Sequence, residues 1–364
     1  MDSQQQLQRL EQLVEILGSA PTLDQMRRRT LSDKGIAGPT AAHVIEEVHS
    51  PYNLACLTFT TGSSAFQNIV GVTFEELPEK TRAARRALEA AGVPQGAEAL
   101  VSYAPLINVY SAQALSDHGM RWSFLRRSSR DAALVALCRL RPQVFIGESG
   151  FLRVALEDAV NLGVADLLPR NVIALCSGTA LDLDLLPVAE RYGWRIHDLY
   201  GCQEFGWIAL DGVPLRDDMS LIPSPLGQGF QEVVLGGLPL ADSFPVAENG
   251  HPCGRKGSLL TFRRRRTHPE YEVFVKESPL SDADLLEKAA RSILRIKGRV
   301  VKISPDVRLG APATRLEFVP SLGDGLPVAS VSGPEKTRLF DLLVEAQANF
   351  QKTGKTDPAW TKRR

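Results

Sequence analysis

Between residues 4 and 17, Leu7, Leu10, Leu13, Val14 and Leu17 recur at helical spacing with polar residues between them, which predicts an amphipathic helix. A second helix is expected over residues 23–31, with Asp24 near its start and Arg27, Arg28 and Arg29 on a solvated side. From residue 53 the pattern changes to short apolar runs that alternate with helical stretches. Strands are expected at 54–59, 98–102, 121–125, 143–146, 172–176 and 194–198. Helices are expected between them, at 78–91, 108–117, 131–140, 148–162 and 182–192. Such alternation predicts an α/β fold with parallel strands and crossover helices.

After Gly201 the pattern shifts to Gly- and Pro-rich sequence with short alternating segments at 231–235, 258–262 and 271–276, which suits antiparallel strands or a barrel-like subdomain. Residues 314–319 read as a further strand, and Pro334 opens a last helix over 335–350. Beyond Gln351 the chain is basic.

The chain has 364 residues with 42 Lys+Arg against 42 Asp+Glu, a balance that argues against a dedicated nucleic-acid binder. Its hydrophobic fraction of 44% is that of a protein with a real core rather than a disordered one. No apolar run approaches the roughly 20 residues of a membrane span. The start lacks the basic and apolar regions of a secretory signal, and the 5 cysteines form no CxxC pair, so a reducing cytoplasm is expected. His251 and Cys253 alone do not make a zinc site.

Three segments carry chemistry. Thr58-Phe59-Thr60-Thr61-Gly62-Ser63-Ser64 follows a strand, and its hydroxyls and backbone N–H groups could wrap an anion. No Lys follows, so it is not the Gly-Lys-Ser/Thr phosphate loop. Leu175-Cys176-Ser177-Gly178-Thr179-Ala180-Leu181 leaves a strand, and bare backbone at Gly178 would let a planar ligand come close. Leu199-Tyr200-Gly201-Cys202-Gln203-Glu204-Phe205-Gly206 offers a ring that could stack on a base and a carboxylate that could hold a divalent cation. Each segment read alone is also an ordinary turn or link.

Their order and spacing resemble the adenylate-forming superfamily of acyl- and aryl-CoA ligases, luciferase and peptide-synthetase adenylation domains, and most closely its phenylacetate-CoA ligase branch. The resemblance spans roughly residues 55–300. It implies a large ATP/AMP- and substrate-binding domain over 1–298, with mixed sheets and a barrel-like subdomain, and a small abbreviated α+β lid over 299–364. Thr60, Thr61, Gly62, Ser63 and Ser64 would grip the β- and γ-phosphates of ATP. Ser177, Gly178 and Thr179 would border the adenine, Tyr200 beside Gly201 would stack on it, and Glu204 would ligate Mg²⁺. Asp284, or alternatively Asp282, would bind ribose. Arg299 would open the lid, and Lys355 is the candidate catalytic lysine.

Several positions depart from that pattern: Ala65-Phe66-Gln67-Asn68 follow the phosphate loop, Gln203 replaces a Thr, and Val301 stands at the hinge. Tyr103, Asn108, Tyr110, Phe145 and Phe205 would line the acid pocket, which implies an aromatic or flat carboxylic acid. Among short members, the chain most resembles the phenazine-biosynthesis enzyme that activates griseoluteate. The acceptor would be CoA, an acyl carrier or a reductase, with no nucleic acid and no membrane involved. Two other readings compete. Gly147-Glu148-Ser149-Gly150 mimics a hydrolase nucleophile elbow with altered spacing. The altered phosphate loop also fits a nucleotide-binding module without turnover.

Overall fold

The computed structural model describes residues 2–16, 54–61, 67–74, 76–102, 112–125, 129–202, 205–224, 229–247, 258–259, 265–266, 271–293, 300–320 and 325–354. They belong to two compact units, residues 1–77 with 91–197 and residues 78–90 with 198–364.

In the first unit, α1 (Ser3–Ile16) buries Leu7 and Leu10, two of the apolar positions that predict it. An antiparallel hairpin follows, β1 (Leu54–Thr61) with β2 (Gln67–Thr73), whose last rung pairs Thr61 with Gln67. Helix α2 (Leu77–Ala90) counts from residue 78 on with the second unit. The predicted alternation then appears as β3 (Glu98–Val101), α3 (Ala112–Asp117), β4 (Arg121–Phe124) and α4 (Arg130–Leu140). It continues through β5 (Val144–Gly147), α5 (Ser149–Asn161), β6 (Ile173–Cys176), α6 (Leu185–Glu190) and β7 (Arg195–Cys202).

Strand order runs β4-β3-β5-β6-β7, and β3 pairs in parallel with both β4 and β5. Strands β5 and β6 are buried along their whole length, as expected of parallel strands covered on both faces, while β4 lies at the edge and is largely exposed. The Ser129 hydroxyl accepts the Ala132 N–H at 3.1 Å and starts α4, and Arg141 ends it in the left-handed region at φ 47°. Helix α1 packs on α4, where Arg139 Nη2 donates to Glu11 at 2.7 Å; the guanidinium holds the Glu11 carboxyl below its ordinary range.

The second unit takes up β7 from Asp198, which pairs antiparallel with β8 (Gly206–Leu210), itself paired with β9 (Val213–Pro214). Strands β10 (Met219–Pro223), β11 (Phe230–Leu235), β12 (Leu238–Ala247) and β13 (Ser258–Leu259) form an antiparallel sheet, with β14 (Arg265–Arg266) also on β12. Gly236 and Gly237, at φ 54° and 90°, make the two-residue turn between β11 and β12. A Cβ on Gly236 would lie 2.4 Å from that of Leu339, so this tight turn also makes room for the last helix.

A mixed sheet completes the unit: β15 (Tyr271–Ser278), α7 (Ala283–Ile293), β16 (Val300–Leu309), β17 (Arg315–Pro320) and β18 (Ala329–Ser332), in the order β16-β15-β17-β18. Because α7 carries the chain across, β15 and β16 run parallel, whereas β17 and β18 are antiparallel to their neighbours. Helix α8 (Arg338–Gly354) adds Leu339, Phe340 and Val344 to a core that contains Phe244, Val273, Leu316 and Phe318. Its Asp341 is partly buried and accepts hydrogen bonds from Thr337 and Thr314; burial pushes its pKa up, against the hydroxyls.

The boundary expected at 298/299 therefore falls inside one sheet, since β15 pairs with β16 on one side and β17 on the other. Local pattern could not reveal this, because the pairing is set by a crossover. The helix expected at 23–31 lies outside the described residues.

Candidate functional site

In the first unit, the chain leaves β3 toward β4 on one side, passes back, and leaves β5 toward β6 on the other. The carboxyl ends of β3 and β5 thus flank a topological switch point, where open α/β sheets leave a crevice for ligands. Ser102 follows β3 and donates its N–H to Ile146 O at 2.9 Å; Gly147 and Glu148 follow from β5. A Cβ on Gly147 would lie 1.9 Å from Ser102 Oγ and 2.9 Å from the Phe145 ring, so the two strand ends close in on a residue without a side chain.

The predicted Ser177-Gly178-Thr179 segment stands beside this point, because β5 and β6 are in register with Gly147 opposite Cys176. Ser177 is buried, and its N–H donates to Gly147 O at 2.8 Å. Gly178 has φ 97°, a conformation that favours glycine, and no described atom lies within 4 Å of where a Cβ would be. Its backbone is therefore open to close approach. Thr179 is exposed, and its hydroxyl donates to Glu148 Oε1 at 3.2 Å.

The hydrolase reading of Gly147-Glu148-Ser149-Gly150 is corrected by the structure. Ser149 is the first residue of α5 and only 2% exposed, and its hydroxyl accepts the Asp182 N–H at 2.9 Å and faces Ala180 O at 3.5 Å. A hydroxyl engaged in this way is a backbone tether, not a presented nucleophile. Sequence reasoning gave Glu148 no role beyond that segment and passed over Arg153. Arg153 donates to Asp182 at 2.7 Å and to Glu157 at 2.9 Å, and these hydrogen bonds raise its pKa further above its ordinary value. The signal that could have exposed them is the pairing of β5 with β6, which brings positions about 30 residues apart to neighbouring strand ends.

In the second unit, Tyr200 lies within β7 rather than on a loop after it. Its ring is 3% exposed and edge-on to Phe244 at 5.0 Å, and its hydroxyl donates to Asp242 at 2.8 Å. Gly201 sits at a register shift between β7 and β8, where a Cβ would come 2.5 Å from Gly206 O. The obstacle is backbone, so Gly201→Ala is expected to destabilise the protein by about 1–3 kcal/mol, read as a fall in the urea midpoint. An unchanged midpoint would show that β8 can yield.

Phe205 is buried in the second unit, and Phe145 is buried in the first with its ring tilted against Trp194. Neither ring faces solvent. Asp284 is exposed in the first turn of α7, and Asp282 Oδ1 accepts the Leu285 N–H at that helix start. Thr60 and Thr61 end β1. Gly62, Ser63, Ser64, Tyr103, Asn108, Tyr110, Glu204, Arg299 and Lys355 lie outside the described residues. Among the described residues no group of three or more His, Cys, Asp or Glu could hold a metal ion, and no helix is long and apolar enough to cross a membrane.

Comparison with known proteins supplies the family. The chain is 56% identical over 364 residues to the ACP-SH:acetate ligase of Malonomonas rubra, an alignment that covers 99% of this chain and 100% of the relative. The chain belongs to the ACP-SH:acetate ligase family. Residues 211–351 also match the MadH C-terminal domain family. Solved structures are more loosely similar to this acetate ligase family member. O-succinylbenzoate coenzyme A synthetase from Bacillus subtilis, in complex with AMP, gives a TM-score of 0.43 at 17% identity, covering 59% of this chain and 62% of that one. 2-Hydroxyisobutyryl-CoA ligase in the postadenylation state gives 0.46 at 10% identity, covering 94% and 92%. The Malonomonas relative is named for acetate, so neither the expected aromatic acid nor the phenazine link finds support in it.

Proposed function

We propose that this chain activates acetate with ATP as acetyl adenylate and passes the acetyl group to the thiol of an acyl carrier protein. The observation that carries this reading is the 56% identity, over 99% of the chain, to a protein named ACP-SH:acetate ligase. In the first half-reaction an acetate oxygen attacks the α-phosphorus of ATP, the bond to the bridging oxygen breaks, and pyrophosphate leaves. In the second, the thiol sulfur attacks the acetyl carbonyl, loses its proton, and AMP leaves with the bonding electrons. Both partners in the first step are anions, so the chain's task is to hold them together and to counter their repulsion.

The strand ends at the switch point suit the nucleotide half of this task. We assign the adenine border to Ser177, Gly178 and Thr179, where open backbone at Gly178 admits a flat ring. Thr60 and Thr61, ending a hairpin strand, lead into Gly62, Ser63 and Ser64, the proposed phosphate loop. Tyr200 would stack on adenine only by giving up its packing on Phe244. The roles of Asp284 at ribose, Arg299 at the lid and Lys355 in catalysis rest on the resemblance. Mg²⁺ is the cation that the resemblance assigns to Glu204, where it would offset negative charge on the phosphates.

Acetate-dependent exchange of labelled pyrophosphate into ATP tests the first step, and transfer of labelled acetate to a reduced acyl carrier protein tests the second. We expect exchange with acetate at least about tenfold above that with phenylacetate, and labelling that is lost when the carrier thiol is alkylated. Retention of AMP without exchange would instead establish the binding-module reading.

A further inference from the structure

We propose that Glu148, Ser149 and Arg153 form a positioning clamp that fixes the Ser177–Asp182 loop in the shape that receives the nucleotide. The inference rests on the reading above and gives a role to the Gly147–Gly150 segment that the hydrolase reading could not.

Five contacts run from the end of β5 and the start of α5 to this one loop. Gly147 O accepts from Ser177 N–H at 2.8 Å, and Glu148 accepts from the Thr179 hydroxyl at 3.2 Å. Ser149 Oγ accepts from Asp182 N–H at 2.9 Å and faces Ala180 O at 3.5 Å. Arg153 Nε donates to Asp182 Oδ2 at 2.7 Å. Asp182 in turn accepts the Asp184 N–H at 3.1 Å and so turns the chain into α6.

The chemistry of these residues is unusual for the positions they occupy. Glu148 is the N-cap of α5, yet its carboxylate makes no capping bond and instead reaches the Thr179 hydroxyl. Arg153 lies one turn into α5 and divides its guanidinium between Glu157 on its own helix and Asp182 on the loop. Loop tethers matter here because, among the described residues, no atom lies within 4 Å of where a Gly178 Cβ would be, and at φ 97° the glycine is free to relax if its tethered neighbours let go. A loop already ordered by tethers loses less freedom when a ligand arrives, so removing a tether should weaken binding without altering any atom that touches the ligand.

The test uses the full-length protein and AMP as the probe, with dissociation constants from calorimetry and amide hydrogen exchange over residues 177–184. Arg153→Met and Glu148→Ala, which removes the acceptor of the Thr179 hydroxyl, are each expected to speed exchange in that segment and to weaken AMP binding about tenfold. Arg153→Lys, which keeps a charge for Asp182, should fall between wild type and Arg153→Met. Arg139→Met, which loses only a surface pair with Glu11, should bind AMP as wild type does. Should Arg153→Met fail to fold, Glu148→Ala decides alone, since the Glu148 side chain is exposed. Faster loop exchange with unchanged AMP affinity would reduce the clamp to a structural tether and overturn the proposal. Wild type that does not bind AMP at all would instead overturn the nucleotide reading, and the clamp's role with it.

Discussion

Arg216→Met is expected to destabilise the second unit by about 3–5 kcal/mol, a larger loss than that expected of Gly201→Ala. Arg216 is 2% exposed, and its guanidinium grips Asp218 through two bonds, Nε at 2.9 Å and Nη2 at 2.8 Å. Its Nη1 donates to Phe205 O at 3.0 Å, which ties down the strand that follows Glu204. Methionine would fill much of the volume but leave a buried carboxylate without this partner; Arg338, at 3.8 Å from Asp218, is too distant to replace two hydrogen bonds. The double variant Arg216→Met with Asp218→Leu removes both charges and should recover most of the loss. Urea denaturation of the three proteins reads both effects. A single variant as stable as wild type would mean that the pair is solvated in solution.

Glu204→Gln is expected to lower acetate-dependent pyrophosphate exchange by about 10²–10³-fold, the loss typical of one charge-stabilising contact in a transition state. The substitution keeps the size and one acceptor oxygen and removes the charge, so the folding transition should stay near that of wild type. The rate should fall at saturating acetate and ATP, because the charge matters most when pyrophosphate is leaving. Full exchange in this variant would falsify the assignment of Glu204 and leave the family membership untouched.

Much of the first unit was legible in the sequence, for a physical reason. Strands β5 and β6 are buried on both faces, so they read as unbroken apolar runs, Val-Phe-Ile and Ile-Ala-Leu-Cys, between helices with their own period. The expected 143–146 and 172–176 lie within a residue of the observed strands. Strand β16 gave no such signal: Val300–Leu309 carries the charged residues Lys302, Asp306 and Arg308, which suit an exposed face, and Pro305, and together they obscure the alternation. Helix α7 is missing from the expected elements although Leu286 and Ala289 lie buried on one face of it, because so short an apolar stripe is interrupted by Asp284, Glu287 and Lys288. Tyr200 poses a different problem. A ring beside a glycine looks the same in sequence whether it waits for a ligand or packs on Phe244, and only the fold tells the two apart.

By itself, the sequence determined the α/β class, the strand-end position of Ser177-Gly178-Thr179, and a likeness strong enough to name a ligase chemistry. These are local properties: apolar period, glycine at a turn, and motif order all survive without knowing which strands are neighbours. The tertiary structure alone decided that Ser149 tethers rather than attacks, that Gly201 is bare because Gly206 crowds it, and that β15 pairs with β16 across residue 298. Each of these depends on which segments lie side by side, and strand register and crossover topology set that through contacts between residues far apart in the chain.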